Sequence, residues 1–169
     1  GNATNVAEAR ALEAGGMDAI VAQGAEAGGH RGAFIGAVHE NDMGTMTLVP
    51  LVVDAVKIPV IAAGGIFDGR GVAAALMLGA SGAQIGSVFL RADESSAPAL
   101  HKQALADTPD NATKLTRLFT GRPARSIRNR LVRELSAHEG DAAPFPTQRA
   151  EIAPLANAAA TRGSADFMQ

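Results

Sequence analysis

The 169-residue sequence has no cysteine, no tryptophan and no tyrosine, and its six phenylalanines are its only aromatic residues. The missing cysteine excludes disulfides, thiolate nucleophiles and Cys-based metal sites, and it fits a cytoplasmic protein. The shortage of rings argues against an aromatic platform for stacking bases. An excess of positive charge is also missing. Fifteen Lys and Arg against seventeen Asp and Glu leave a net charge of −2, so the basic face that nucleic acid or an anionic membrane calls for is not expected. No apolar run reaches the roughly 18 residues of a membrane span, and no positively charged apolar leader is visible. There is no HExxH and no other close histidine pair, so no metal site is expected. What the chain has in abundance is glycine, nineteen residues, within a composition that is 47% hydrophobic. That suits one ordinary soluble domain.

The pattern of elements is that of parallel βα units. Asn5 can cap a helix running to Ala14, with Glu8 three residues on in the manner of a capping box and Gly15-Gly16 as its stop. Met17 to Ala22 reads as a short strand buried on both faces. Thr45 starts a second helix with Leu48, Leu51, Val52 and Ala55 at helical spacing and Pro50 in its first turn. Ile58–Ala63 is a second strand, ended by Gly64-Gly65. Asp68–Leu78 is a third helix, stopped by Gly79, and Gly82–Ile85 is a third strand followed by Gly86-Ser87. In such an α/β arrangement function gathers on the loops beyond the C-terminal ends of the strands.

All the chemically suggestive residues fall on that edge. Gly64-Gly65 and Gly86-Ser87 follow consecutive strands and each opens a helix, so free N–H groups and a positive helix end point the same way. The Ser87 hydroxyl is an extra donor. Barrels of eight βα units hold phosphate on their last two loops in this manner. The plainer alternative is that the glycines only make tight turns. The loop after the first strand, "AQGAEAGGHRG" from Ala22 to Gly32, is nearly bare backbone around one imidazole. Gly28, Gly29 and Gly32 remove side chains that would crowd a flat ligand, and His30 is the candidate for acid–base work. His39, His101 and His138 lack such a setting and read as surface residues.

That loop, followed by "IPVIAAGGIFDGRGVAAALMLGASGAQIGSVFLRADES" and "LTRLFTGRPARSIRN", closely resembles the FMN-dependent nitronate monooxygenases, also called 2-nitropropane dioxygenases. The resemblance runs over essentially the whole chain. It implies a TIM-type (β/α)8 barrel with FMN at its C-terminal mouth, and oxidation of alkyl nitronates by dioxygen to a carbonyl compound and nitrite. By that resemblance Gln23 contacts the isoalloxazine ring, with Gly28 and Gly29 along it. Gly64, Gly65, Gln84, Ile85, Gly86 and Ser87 hold the ribityl phosphate; the family often has Thr in place of Ser87. His30 matches the active-site histidine that hydrogen-bonds or deprotonates the nitro substrate. Glu26 is expected to fix the loop.

If the last two strands are the seventh and eighth of a barrel, only about three strands are present, and the chain is expected to be an internal fragment of the enzyme. Both ends read as cut, and the chain alone is expected to be inactive. Residues 1–97 would then be the C-terminal βα units of the barrel, and residues 98–169 a mainly helical extension. In the latter, Arg117, Arg122, Arg125, Arg128, Arg130 and Arg133 form a basic cluster around a helix expected from Ser126 to Ala137. A solvated helix face is the bland account; contact with an anionic cofactor or an acyl-carrier partner is the sharper one. Expected partners are a small nitronate or nitroalkane, dioxygen, the missing N-terminal half of the barrel and a second copy in a homodimer. Two other functions remain open. One is an FMN-dependent NAD(P)H reductase of enoyl-acyl-carrier-protein or quinone substrates, and the other a non-catalytic phosphate-ligand binding protein.

Overall fold

The computed structural model describes residues 1–168. It divides into two compact units, Gly1–Val88 and the residues from Phe89 onward.

The first unit is built on a parallel sheet. Its elements are β1 (Asn2–Ala3), α1 (Val6–Ala14), β2 (Ile20–Gln23), β3 (Gly29–His30), α2 (Thr45–Ala55), β4 (Val60–Ala63), α3 (Gly69–Met77) and β5 (Gly82–Gln84). Four of the strands form one sheet in the order β1-β2-β4-β5, all parallel. This is the α/β architecture expected of part of a TIM-type barrel, with one strand more than the three expected. The extra strand is β1, which pairs Asn2 with Val21 and Ala3 with Ala22. Two residues are too short to carry a periodic signal, so only the ladder defines it.

Two helices end by the same device. After α1, Gly16 takes φ +85°, Gly16 N donates to Glu13 O (2.9 Å) and Met17 N to Leu12 O (3.1 Å). After α3, Gly79 takes φ +93°, Gly79 N donates to Leu76 O (3.0 Å) and Ala80 N to Ala75 O (3.1 Å). Each is a Schellman closure, in which a left-handed glycine turns the chain off the helix. At their other ends Asn5 Oδ1 accepts from Glu8 N (2.8 Å), and Asp68 Oδ1 from Arg70 N (3.0 Å) and Gly71 N (3.2 Å). The caps therefore bound both helices as the sequence implied. In α2, Pro50 lies beyond the first turn, inside the helix, rather than in the expected first turn. The carbonyl it leaves without an i+4 donor belongs to Met46, on the exposed side of the helix.

The core of this unit is made of small residues. Ile20 and Ala22 of β2 and Val60 and Ala62 of β4 face Leu48, Val49 and Val52 of α2, with Ala3, Ala9, Ala75 and Ala80 completing the cluster. Burial alternates along β2, with Val21 and Gln23 only half-buried. The expectation of a strand from Met17 buried on both faces is thereby corrected, because the helices cover the face carrying Ile20 and Ala22.

The second unit contains α5 (Ala99–Asp107), a β6–β7 hairpin (Thr113–Thr116 and Ala124–Ile127), α6 (Arg130–Leu135) and α7 (Thr147–Thr161). A short turn of helix, α4 (Ser87–Leu90), spans the division between the units. The hairpin is antiparallel, with Thr113 opposite Ile127 and Thr116 opposite Ala124. The helix expected from Ser126 starts instead at Arg130, capped by Asn129, whose Oδ1 accepts from Val132 N (3.3 Å). Residues 124–127 alternate in burial with period two, which is a strand signal. Leu118, Phe119, Leu131 and Val132 form the core here, with Ile152 and Phe167 against them. Buried Gln148 ties it together, donating to Leu118 O (2.8 Å) and accepting from Ala143 N (2.9 Å).

One carboxylate is buried in the first unit for a structural reason. Glu8 is fully buried, and its carboxylate accepts from Thr4 N (2.6 Å), Thr4 Oγ1 (2.7 Å), Phe34 N (2.6 Å) and Ile35 N (2.9 Å). It therefore does not close the capping box expected with Asn5; it ties the start of α1 to the loop at residues 34–35. Burial pushes its carboxyl up. The N–H groups of Ile35, Thr4 and Phe34 and the Thr4 hydroxyl outweigh that and hold it below its ordinary 4.5. A lowered native value means a stabilisation complete above the ordinary value and lost as pH falls through the lowered one. Glu8→Gln should cost about 1–3 kcal/mol at neutral pH. In urea unfolding, the gap between variant and parent should narrow as the pH is taken below 4.5. A gap equally wide in strong acid would show that the charge contributes nothing.

Candidate active site

Parallel pairing aligns the strand ends. Gln23 lies opposite Ala63, and Ala63 opposite Gln84. With strands about 4.8 Å apart, the three ends span about 10 Å, and everything beyond them leaves from one edge. Gly24 N donates to Ala63 O (2.9 Å) and Ala27 N to Gly24 O (3.1 Å), which folds the loop after β2 back over its neighbours.

The glycines report how close the segments come. A Cβ on Gly64, which has φ +116°, would lie 3.0 Å from Ala27 N and 2.9 Å from Thr45 Oγ1. One on Gly65 would lie 3.4 Å from Glu26 Cβ, and one on Gly28 would lie 3.1 Å from Ser87 Oγ. Of the residues singled out from sequence, Gly28, Gly64, Gly65 and Ser87 are thus brought together. Gly29 and Gly86 face open space, with nothing within 4 Å of an added Cβ. The Gln84 side chain is exposed, and Ile85 is half-buried. The N–H groups of Gly65 and Gly86 and the Ser87 hydroxyl donate to no protein acceptor among the described residues.

Glu26 holds this loop to α2. Thr45 N (2.9 Å) and Thr45 Oγ1 (2.8 Å) both reach its Oε2, and Thr45 Oγ1 is also 2.9 Å from Gly64 O. The N-cap position of α2 is Gly44, which has no side chain to offer. Glu26 supplies the missing acceptor, and its charge suits the positive helix end. The loop-fixing role expected for Glu26 is what its bonds describe.

His30 is exposed, but the backbone around it is tied down. Gln23 Nε2 donates to His30 O (3.0 Å), and Gln23 Oε1 accepts from Gly32 N (2.8 Å). Arg31 is 2% exposed. Its Nη1 donates to Gln23 O (3.1 Å) and Gly24 O, and its Nη2 to Asn41 O (2.8 Å). Asn41 in turn binds Ile35 O (3.1 Å), Ala37 O (2.9 Å) and Asn5. Arg31 and Asn41 are positions that sequence reasoning missed, and Glu8 reads in the sequence only as part of a capping box. The signal for Arg31 was a charged residue set directly against the candidate base in a loop otherwise almost without side chains.

The other histidines divide. His39 and His138 are exposed, as expected. His101 is not a surface residue but half-buried, lining an open cavity of about 780 Å³ in the second unit, and burial pushes its imidazole pKa down. The arginine cluster does not make one helix face. Only Arg130 and Arg133 are on a helix. Arg130 pairs with Glu134 (2.7 Å) and stacks 5.6 Å from the Phe167 ring centre, Arg117 Nε donates to Gly121 O (3.0 Å), and Arg133 Nη1 to Arg128 O (3.0 Å). No helix among the described residues is long and apolar enough to cross a membrane.

Comparison with known proteins is consistent along the whole chain. The family model described as nitronate monooxygenase matches residues 1–169. A curated relative from Staphylococcus aureus (strain Newman), named a probable nitronate monooxygenase, is 48% identical over 99% of this chain and 48% of its own length. The solved nitroalkane oxidase from Streptomyces ansochromogenes superposes with a TM-score of 0.88 at 46% identity, covering 99% of this chain and 48% of that one. FabK from Thermotoga maritima superposes with a TM-score of 0.75 at 35% identity, covering 94% of this chain and 47% of that one. The chain spans about half the length of the curated relatives it matches.

Two glycine substitutions separate folding from ligand binding here. Gly64→Ala places a side chain at φ +116° against backbone and Thr45, so it should cost at least about 1–3 kcal/mol. Gly86→Ala meets no protein atom, so its melting temperature should match the parent, while affinity for a phosphate-bearing ligand falls. Unchanged ligand affinity in Gly86→Ala, measured by titration, would reduce Gly86 to a turn residue.

Proposed function

The chain belongs to the nitronate monooxygenase family, and from that premise we propose that it forms the part of an FMN-dependent oxidoreductase that holds the cofactor and presents the catalytic base. The observation that carries this reading is the meeting of the bare loop at Gly28 with Gly64, Gly65 and Ser87 on aligned strand ends. The free donors of Gly65, Gly86 and Ser87 suit a phosphate, and the open faces of Gly29 and Gly86 leave backbone exposed where a ligand can lie. These residues therefore fit FMN: Gly64, Gly65, Gln84, Ile85, Gly86 and Ser87 around the phosphate, Gly28 and Gly29 along the ring, with Gln23 at its edge. FMN, when bound, supplies the electron acceptor and the reaction with dioxygen.

The protein's own contribution is proton handling and placement. With a neutral nitroalkane, the His30 imidazole takes the proton from the carbon beside the nitro group, leaving a nitronate and an imidazolium. The imidazolium then stands beside the negative nitro oxygens. With a preformed nitronate the first step is already done, and His30 only binds. The products are a carbonyl compound and nitrite. The remaining strands of the barrel, in the rest of the polypeptide, would cover the unpaired sides of β1 and β5. The cytoplasm is the proposed compartment and a homodimer the proposed assembly.

The reductase of enoyl-acyl-carrier-protein or quinone substrates would use the same loop and flavin, so one experiment separates the two. The full-length polypeptide is purified, its visible spectrum recorded, and nitrite release and oxygen uptake are measured with a preformed nitronate in the absence of NADH. Nitrite is the expected product; flavin bleached by NADH, with no nitrite, would move the assignment to the reductase. His30→Ala should lower turnover of a neutral nitroalkane by about 10²–10⁴-fold and that of the preformed nitronate much less. Equal losses on both, or no loss on either, would deny His30 the role of base.

A further inference from the structure

Gln23 closes β2, yet its side chain is engaged with a segment well beyond it. Its Nε2 donates to the carbonyl of His30 (3.0 Å), and its Oε1 accepts the N–H of Gly32 (2.8 Å). Those are the two peptide groups on either side of Arg31, so one planar carboxamide grips the loop much as a neighbouring strand would. The Arg31 side chain folds back under the same point, with Nη1 3.4 Å from Gln23 Oε1 and bonded to the backbone carbonyls of Gln23 and Gly24. Gln23 is itself fixed by its pairing with Ala63. On the other side of His30 stand Gly28 and Gly29, the latter at φ +75° with no protein atom within 4 Å of an added Cβ, and glycine restrains a chain least of all residues.

From this we infer that Gln23 is the positioning residue for His30, acting through the backbone of residues 30–32 rather than chiefly through contact with the flavin ring. The inference rests on the reading of His30 as the base. The chemistry explains the residue type. The clamp needs a donor and an acceptor on one neutral planar group at this reach. Glutamate offers only acceptors, and methionine offers neither good donor nor good acceptor. Loss of the clamp frees the peptide groups on either side of Arg31, and a misplacement of the imidazole by about 1 Å in such a site costs up to about 10²-fold in rate.

The test uses the full-length FMN-loaded enzyme and the variants Gln23→Met and Gln23→Glu. Three quantities are read: hydrogen exchange of the Gly32 amide, turnover of a neutral nitroalkane against a preformed nitronate, and the flavin's spectrum and reduction potential. In Gln23→Met the Gly32 amide should lose protection and nitroalkane kcat should fall by about 10–10²-fold. Nitronate turnover should fall much less than nitroalkane turnover. Gln23→Glu keeps the acceptor for Gly32 and loses the donor to His30, so it should keep the amide protected while still losing nitroalkane turnover. Full Gly32 protection in Gln23→Met would overturn the clamp. A shifted flavin potential with equal losses on both substrates would assign Gln23 to the ring instead. A parent enzyme that releases no nitrite from either compound would overturn the functional reading, and the Gly32 amide would still decide the clamp.

Discussion

The register of three parallel strands governs this molecule. Gln23, Ala63 and Gln84 stand abreast because β2, β4 and β5 pair in that alignment, and the loops that follow can meet only because they start level. The alignment is enforced from the core. Ile20, Ala22, Val60 and Ala62 all face the helices, and a slip of one residue in either strand would turn its buried set outward. Packing under the sheet and geometry at its edge are therefore one constraint. The core holds the site in line without touching it.

The long connection between β2 and α2 would otherwise be the weak point. A glycine-rich excursion loses much conformational entropy on ordering. It is held by polar side chains, Glu8 and Arg31 each reaching several backbone groups and Glu26 the N–H and hydroxyl of Thr45. Glu26 fastens its beginning to the start of α2, Arg31 fastens its middle to Gln23, Gly24 and Asn41, and Glu8 fastens Phe34 and Ile35 to the start of α1. The two buried charges, Glu8 and Arg31, are placed where backbone donors or acceptors converge, which compensates for their loss of water. The carboxylates of Glu8 and Glu26 serve order, while His30 stands exposed to solvent.

Much of this was legible in the sequence, where local chemistry and fold agreed. Asn5 and Asp68 mark helix starts and Gly16 and Gly79 mark their ends because capping is decided within a few residues. The convergence of Gly28, Gly64, Gly65 and Ser87 was legible because parallel βα units send their loops to one edge. What escaped notice depended on distant partners. β1 exists only through Asn2 and Ala3 meeting Val21 and Ala22, and the strand at Ala124–Ile127 shows itself in its pairing with Thr113–Thr116. Glu8 follows a cap at capping-box spacing, yet its carboxylate turns to a loop that sequence order places far away. His101 reads as exposed until the fold of the second unit half-covers it.

The alanine-rich interior of the first unit makes tolerance to sequence change lopsided. Ala3, Ala9, Ala22, Ala62, Ala75 and Ala80 contribute one methyl group each to the packed cluster, so trimming any of them removes little volume. Adding even a methylene pushes a helix off the sheet, at a cost of typically about 1–3 kcal/mol. Under random drift these six positions can shrink with modest loss but cannot easily grow. The spacing between helices and sheet is thus guarded against expansion, the change that would also spread the strand ends.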